Sequence, residues 1–314
     1  MTDLSKQSRI LGGLWGAIIG DALGIPVEFM SREQVRKNPI TGMRGYGTFN
    51  LPPGSWSDDS SLLLCTVENL LDGFNTDSMG ELFIRWLTEG YWTPWGTTFD
   101  VGTSTMSSIG RMIREVPPEE AGGRGENDNG NGSLMRILPV GIFFARQPVE
   151  EFLDAVHRAS SLTHRHPRTL MACGFYCLMV RALLEGFTPD EAYLYAIEQA
   201  MIYYAKLPYA EELHHFERLF STLMRSVPKT AIKSGGYVIH TLEASVWCLL
   251  NTSSFEGAVL KSVNLGEDTD TTGCVTGGIA GVYYGLKTIP KDWLNAIARK
   301  EDIGKLFQQF TGKI

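Results

Sequence analysis

The stretch GGLWGAIIGDALG, Gly12–Gly24, decides how the rest of the chain is read. Its glycines at 12, 16, 20 and 24 fall four residues apart, and Gly273, Gly277, Gly281 and Gly285 repeat the spacing far downstream. At 3.6 residues per turn, a step of four sets each series along one side of a helix, drifting slowly around it. A glycine inside a helix costs about 1 kcal/mol relative to alanine, so a ladder of them needs a compensating gain. Close approach of a second backbone supplies one. The two helices are therefore expected to pack on each other or on a shared partner. Run antiparallel, they bring Asp21 and Glu28 near Asp268 and Asp270. For the outermost glycines, caps and turns are the competing reading.

Working outward, helical periodicity recurs throughout and no convincing series of alternating strands is found. Thr188-Pro189-Asp190-Glu191 is a capping box with proline at the first helical position. Ser253 and Glu256 repeat the box, with a stop expected near Gly266. Ser57 begins a helix carrying Leu62, Leu63, Val67, Leu70 and Leu71, which Gly73 ends. Many ordinary helices joined by turns predict an all-α fold, a compact orthogonal multi-helix bundle, with residues 1–314 as a single domain. Three stretches break the pattern: Asn38–Trp56, Tyr91–Phe99 and Pro117–Gly132 are rich in Gly, Pro, Asn and aromatics. Such loops in a compact domain are usually functional or disordered.

Composition narrows the class. At 43% hydrophobic and 20% charged, 314 residues suffice for a sizeable core. A net charge of −7 argues against nucleic acid or an anionic membrane as the main partner, since both need a basic face. The basic stretches Arg32–Lys37 and Arg165–Arg168 are short and read as solvated surface. Five cysteines without CxxC spacing fit a reducing, cytoplasmic setting. The opening MTDLSKQSRI lacks the layout of a signal peptide, and no apolar run reaches the roughly 20 residues of a membrane span.

Carboxylates gather at helix starts. Ser57-Asp58-Asp59-Ser60 precedes an apolar helical run, and Asp268-Thr269-Asp270-Thr271-Thr272 precedes the second glycine ladder. Either alone is more often an N-cap with acids complementing the helix dipole. Together they offer more oxygens than two termini can use, with Glu28 as a third source. Hard cations such as Mg²⁺ and Mn²⁺ take that ligand set, and paired cations need bridging carboxylates. An EF-hand at Asp268 is rejected because its twelfth residue is Ile279, not Glu. HExxH, Walker A, GxGxxG and GxSxG patterns are absent, and the His164–His166 pair has no partners completing a zinc site.

These segments, in order, resemble the ADP-ribosylglycohydrolase family, with the bacterial dinitrogenase reductase-activating branch the nearest in pattern. The resemblance rests on Gly20-Asp21-Ala22-Leu23-Gly24 with Val27-Glu28-Phe29, Trp56–Ser60, Phe99–Gly102, Asn131–Arg136, Thr163-His164 before His166-Pro167, Gly236–Val238 with Thr241–Ala244, and Gly266–Thr271. It implies two Mg²⁺ or Mn²⁺ in a central cleft, held by Ser57, Asp58, Asp59, Asp268, Asp270 and Thr271. On the same mapping Glu28 and Asp100 are the candidate catalytic carboxylates, Asn129, Gly130, Asn131, Gly132, Ser133 and His164 line the ADP-ribose cleft, and Tyr237 stacks on adenine. For Tyr237, core packing is the competing reading. Ser57 and Ser60 stand where relatives often carry threonine, and His240 where they often carry an acid. The implied reaction removes ADP-ribose from a modified protein, with arginine the favoured linkage and free ADP-ribose the product. A non-catalytic ADP-ribose-binding or structural relative, and an immunity protein against an ADP-ribosylating toxin, are the alternatives.

Overall fold

Six of the longer helices start on a side chain that accepts from a first-turn N–H: Ser5, Ser57, Asn75, His166, Thr188 and Ser254. A computed structural model describes residues 4–314; Met1–Asp3, the start of the stretch read for a leader, lie outside the described residues. Among those residues, eleven helices reach nine residues or more: α1 (Lys6–Gly24), α2 (Asp58–Leu70), α3 (Thr76–Glu89), α4 (Thr103–Ile113), α5 (Val149–Ser161), α6 (Pro167–Leu184), α7 (Pro189–Tyr203), α8 (Val238–Leu250), α9 (Phe255–Val263), α10 (Thr269–Tyr284) and α11 (Lys300–Thr311). No strand is formed among them; two isolated bridges, Gly123 with His164 and Gly130 with Tyr237, are the only extended pairings. The fold is all-α.

The glycine ladders meet. Helices α1 and α10 run antiparallel through the centre, Gly12 facing Gly281, Gly16 facing Gly277 and Gly20 facing Gly273. A Cβ on Gly20 would lie 1.9 Å from the carbonyl oxygen of Gly273, and one on Gly277 would lie 2.0 Å from that of Gly16. Both obstacles are backbone, so neither helix can yield without leaving the other. Of the outermost glycines, Gly24 stays helical and packs on Asp270, whereas Gly285 turns to φ +80° and caps α10. Around this pair the other helices lay their apolar faces, with Trp56, Trp86, Phe83, Phe152, Phe175 and Phe307 wholly buried.

Several expectations shift on contact with the structure. The helix at 253–256 is capped one residue later: Ser254 is extended and accepts from the Gly257 N–H at 3.0 Å, which leaves Glu256 out of register for a box. The box at Thr188 and Glu191 forms as expected. The basic stretches are not simply solvated. Arg32 donates to the carbonyls of Leu265, Lys229 and Ile232, and Arg168 is buried between Glu126 and Glu212. In both cases a long side chain satisfies loop carbonyls or carboxylates that sequence does not show to be adjacent. The Lys6–Val27 stretch is long and apolar enough to cross a membrane, contrary to the expectation, but 94% of its apolar window is buried inside the fold. Residues 204–236 form a series of short 3₁₀ turns that periodicity alone did not announce. All five cysteines are buried and unpaired.

The central contact is testable by adding one methyl group. Gly20→Ala is expected to cost on the order of 3 kcal/mol in urea unfolding, the upper range of overpacking. Gly110→Ala in α4, where nothing lies within 4 Å of the new Cβ, is expected to gain about 0.5–1 kcal/mol from helix propensity.

Candidate metal centre and cleft

The packed pair delivers acids to one place because the end of α1 lies beside the start of α10. Thr269 Oγ1 donates to the Gly24 carbonyl at 2.8 Å and ties the two termini together. Asp21, one turn before the end of α1, accepts from the Ser57 N–H at 3.0 Å and the Ser60 N–H at 3.0 Å, and from the Ser60 hydroxyl. Its carboxylate thus sits at the positive end of α2, meeting donors that the helix cannot satisfy internally. Ser57 itself is the N-cap of α2, accepting from the Asp59 N–H.

A second clip aligns Glu28. The Phe29 N–H donates to the Glu267 carbonyl at 2.7 Å, and the Glu267 N–H returns to the Met30 carbonyl at 2.7 Å. Both Phe29 (φ 63°) and Glu267 (φ 65°) adopt the left-handed conformation to make this exchange, as does Asp100 (φ 53°) nearby. Such backbones cost about 1–3 kcal/mol each at non-glycine residues and cluster where geometry matters more than stability.

The outcome is a buried acidic centre. One carboxylate oxygen from each of Asp21, Asp59 and Asp270 lies within 4.8 Å of the others, and a second triplet, Glu28, Asp100 and Asp270, does the same. Asp270 belongs to both. Asp58, Asp268 and Thr271 complete the wall of a cleft of about 390 Å³, a size suited to a small-molecule ligand. Burial, with Asp100 and Asp268 beside it, pushes Glu28 up to about 10. Burial raises Asp21 to about 7 and, with Asp268, Asp100 to about 6. Asp58, Asp59 and Asp270 rise well above the carboxylate range, first through burial and then through Asp100, Asp21 and Glu28 respectively.

Donor satisfaction separates supporting acids from available ones. Asp21 spends its oxygens on α2. Asp268 Oδ2 accepts from Asn131 Nδ2 at 2.8 Å, and Asp59 Oδ1 from the Thr271 hydroxyl at 3.2 Å. Left buried with no hydrogen-bond partner are Glu28 Oε2, Asp59 Oδ2 and Asp270 Oδ1. Unpartnered buried carboxylate oxygens are costly, and three converging from the two triplets fit hard divalent cations. The residues present therefore fit a metal ion, and Asp270 is shared by both triplets.

The opposite wall is built from the Asn129–Gly132 loop. The Asn131 N–H donates to the Gly236 carbonyl and the Val238 N–H to the Asn129 carbonyl, pinning the loop to the start of α8. The His164 ring lies against it: a Cβ on Gly132 would meet His164 Cε1 at 2.8 Å, so the close approach needs glycine. His164 Nδ1 pairs with the Thr163 hydroxyl at 2.9 Å, and burial with Arg136 nearby lowers its pKa to about 3, keeping the ring neutral.

Of the expected site residues, Glu28, Asp58, Asp100, Gly130, Asn131, Gly132, His164, Asp268 and Thr271 line the cleft, and Asp59 and Asp270 lie beneath it. Asn129 and Ser133 stand behind the wall instead. Asn129 accepts from the Thr169 hydroxyl, and Ser133 bonds Ser160 within the core. Tyr237 is half-buried and faces a neighbouring hollow with His240 and Arg218, its hydroxyl accepting from Arg168 at 3.3 Å. The glycine ladder placed Asp21 beside Asp268 and Asp270 in the sequence reading, without giving it a role. That reading did not assign Thr105, which lines the cleft.

Comparison with known proteins agrees with the geometry. The ADP-ribosylglycohydrolase family model matches residues 2–314. ADP-ribosylarginine hydrolase Tri1 of Serratia proteamaculans is 31% identical, covering 95% of this chain and 77% of that protein. The ADP-ribosyl-[dinitrogen reductase] glycohydrolase of Rhodospirillum rubrum is 29% identical, covering 96% and 94%. A solved structure described as an ADP-ribosylglycohydrolase-related protein complex superposes with a TM-score of 0.81 at 30% identity, covering 98% of each chain.

A buried carboxylate cluster should respond to cations in melting experiments. Mg²⁺ or Mn²⁺ at about 100 times its Kd should add roughly 2.7 kcal/mol. Asp270→Asn should abolish that gain, yet melt above the wild type in EDTA at neutral pH, because an amide needs no proton to be neutral in the cluster.

Proposed function

Because the chain belongs to the ADP-ribosylglycohydrolase family, we propose that this hydrolase cleaves the N-glycosidic bond joining ADP-ribose to an arginine side chain, with two divalent cations, Mg²⁺ or Mn²⁺. What carries the reading is the pair of carboxylate triplets sharing the buried Asp270, which reach the cleft of the Gly130–Gly132 loop through Glu28 and Asp100. The arginine linkage is supported by the name of the Tri1 relatives, proteins described as acting on ADP-ribosylarginine. The partner is then an ADP-ribosylated protein and the product free ADP-ribose, with no role for nucleic acid or membrane. Five buried, unpaired thiols suit a reducing, cytoplasmic setting.

Glu28, Asp58, Asp59, Asp270 and Thr271 would hold the cations, with Asp268 oriented by Asn131 beside them. When bound, such ions supply Lewis-acid polarisation and a grip on vicinal hydroxyls. The chain's own groups do the rest. The Gly130–Gly132 backbone permits close approach of a phosphate- or ribose-bearing ligand, and the neutral His164 ring backs it without adding charge. Departure of the guanidino group leaves an oxocarbenium-like ribose, as in other glycosidic cleavage, and the surrounding carboxylates favour that positive charge. Asp100, less buried than Glu28 and Asp58 and a neighbour of Glu28, is the group placed to take a proton from water or return one to the leaving nitrogen. It would need hydrogen-bond reach to either atom.

Release of ADP-ribose from ADP-ribosylarginine is expected to exceed that from ADP-ribosylserine, and to stop in EDTA. Asp100→Asn should lower kcat by about 10²–10⁴, the usual worth of an acid/base group, with ADP-ribose binding retained. Binding of ADP-ribose by the wild type without hydrolysis of either substrate would favour a non-catalytic reader.

A further inference from the structure

Phe29 lines the cleft, and the loops attached to the cleft residues Glu28 and Asp100, the first through Thr48 donating to the Glu28 carbonyl, carry further aromatic rings. Phe29 is 69% exposed, Tyr46 68% and Trp95 54%. Phe29 is joined to two partly buried rings: Phe29 and Phe49 centroids lie 6.2 Å apart, and Phe49 and Phe99 5.2 Å apart. Trp95 is held to the first loop by its indole N–H, which donates to Ser55 Oγ at 2.9 Å. The chain of rings ends at the reaction site, since Phe29 follows Glu28 and Phe99 precedes Asp100.

Two features separate this rim from ordinary surface. Tyr46 lies between Gly45 and Gly47 with φ 58°. Glycine would occupy that left-handed backbone without the strain borne by a larger residue. A tyrosine there with its ring in water serves something other than folding. Charge is also missing: Gly45–Ser57 and Tyr91–Phe99, 22 residues, hold no Asp, Glu, Lys or Arg, where a chain that is 20% charged would place about four. Contiguous exposed apolar surface marks contact with a partner, and aromatic anchors dominate the energetics of such contacts.

We propose that the aromatic rim of Phe29, Tyr46, Phe49, Trp95 and Phe99 docks the polypeptide that carries the ADP-ribosyl group, receiving apolar residues that flank the modified side chain. The inference rests on the hydrolase reading above. With ADP-ribose in the cleft, the acceptor side of the bond leaves through the mouth, so the chain on which it is carried must cross this rim. An uncharged rim does not select partners by charge; it rewards flanks that bury apolar surface.

The test compares kcat/KM on free ADP-ribosylarginine and on two short peptides, each with one ADP-ribosylated arginine, flanked by Leu and Phe in one and by Ser and Gly in the other. The wild type should prefer the apolar-flanked peptide by about tenfold, mainly through KM. Tyr46→Ser with Trp95→Ser should erase that preference while leaving free ADP-ribosylarginine within twofold, which also reports an intact fold. Tyr46→Phe, which keeps the ring, should retain the preference. Equal rates on both peptides in the wild type, or a preference surviving in the double variant, would overturn the docking surface while leaving the hydrolase reading intact. Failure to hydrolyse free ADP-ribosylarginine would overturn both.

Discussion

Backbone-to-backbone contact between α1 and α10 is the constraint on which the rest of the molecule depends. Three facing glycine pairs let the helices approach until each Cα lies against the other's carbonyls. Helices with side chains at the contact stay 8–10 Å apart, and at that separation the end of α1 could not reach the start of α10 as it does here. The close approach brings Gly24 onto Asp270 and Thr269 onto the Gly24 carbonyl. Asp21 then reaches the N-terminus of α2, and Asp59 at that terminus reaches Thr271 on α10. Three helix ends thus converge on one point, and all of them contribute acids.

That convergence is unfavourable by itself. Seven carboxyl groups, Asp21, Glu28, Asp58, Asp59, Asp100, Asp268 and Asp270, are all driven up in pKa, with burial the first cause in every case. A cluster of this kind must be neutralised by protons or by cations. The scaffold stabilises some members with hydrogen bonds, as Asn131 does for Asp268, and leaves Glu28, Asp59 and Asp270 each with a bare oxygen. The unsatisfied atoms are the ones a reaction can use. The same trade appears in the backbone, where Phe29, Asp100 and Glu267 hold left-handed conformations beside the cleft.

Much of this was legible in the sequence, and the rest was not for physical reasons. Glycines four apart report backbone contact because nothing else repays their cost in a helix, so the antiparallel pair and the juxtaposition of Asp21 and Glu28 with Asp268 and Asp270 could be reasoned out. Paired acids at two helix starts, Asp58 with Asp59 and Asp268 with Asp270, stood out because one terminus cannot use them all. Long-range side-chain choices were hidden. Arg168 looked like surface until the fold placed Glu126 and Glu212 on either side of it. Asn129 and Asn131 look alike in a glycine-rich loop, yet one turns to Thr169 in the scaffold and the other to Asp268 in the site. Their partners come from different elements of the fold, and a segment that short leaves no periodic trace. The turns over 204–236 are likewise set by what they cover rather than by their own pattern.

The central proposal is that α1 and α10 assemble one centre for two cations around Asp270, the residue shared by both triplets. A crystal soaked in Mn²⁺ and measured for anomalous scattering addresses it directly. Two manganese peaks about 3.5–4 Å apart, with Asp270 contacting both, are the expected result. No manganese at the cleft, or a single ion that leaves Asp270 uncoordinated, would contradict the account.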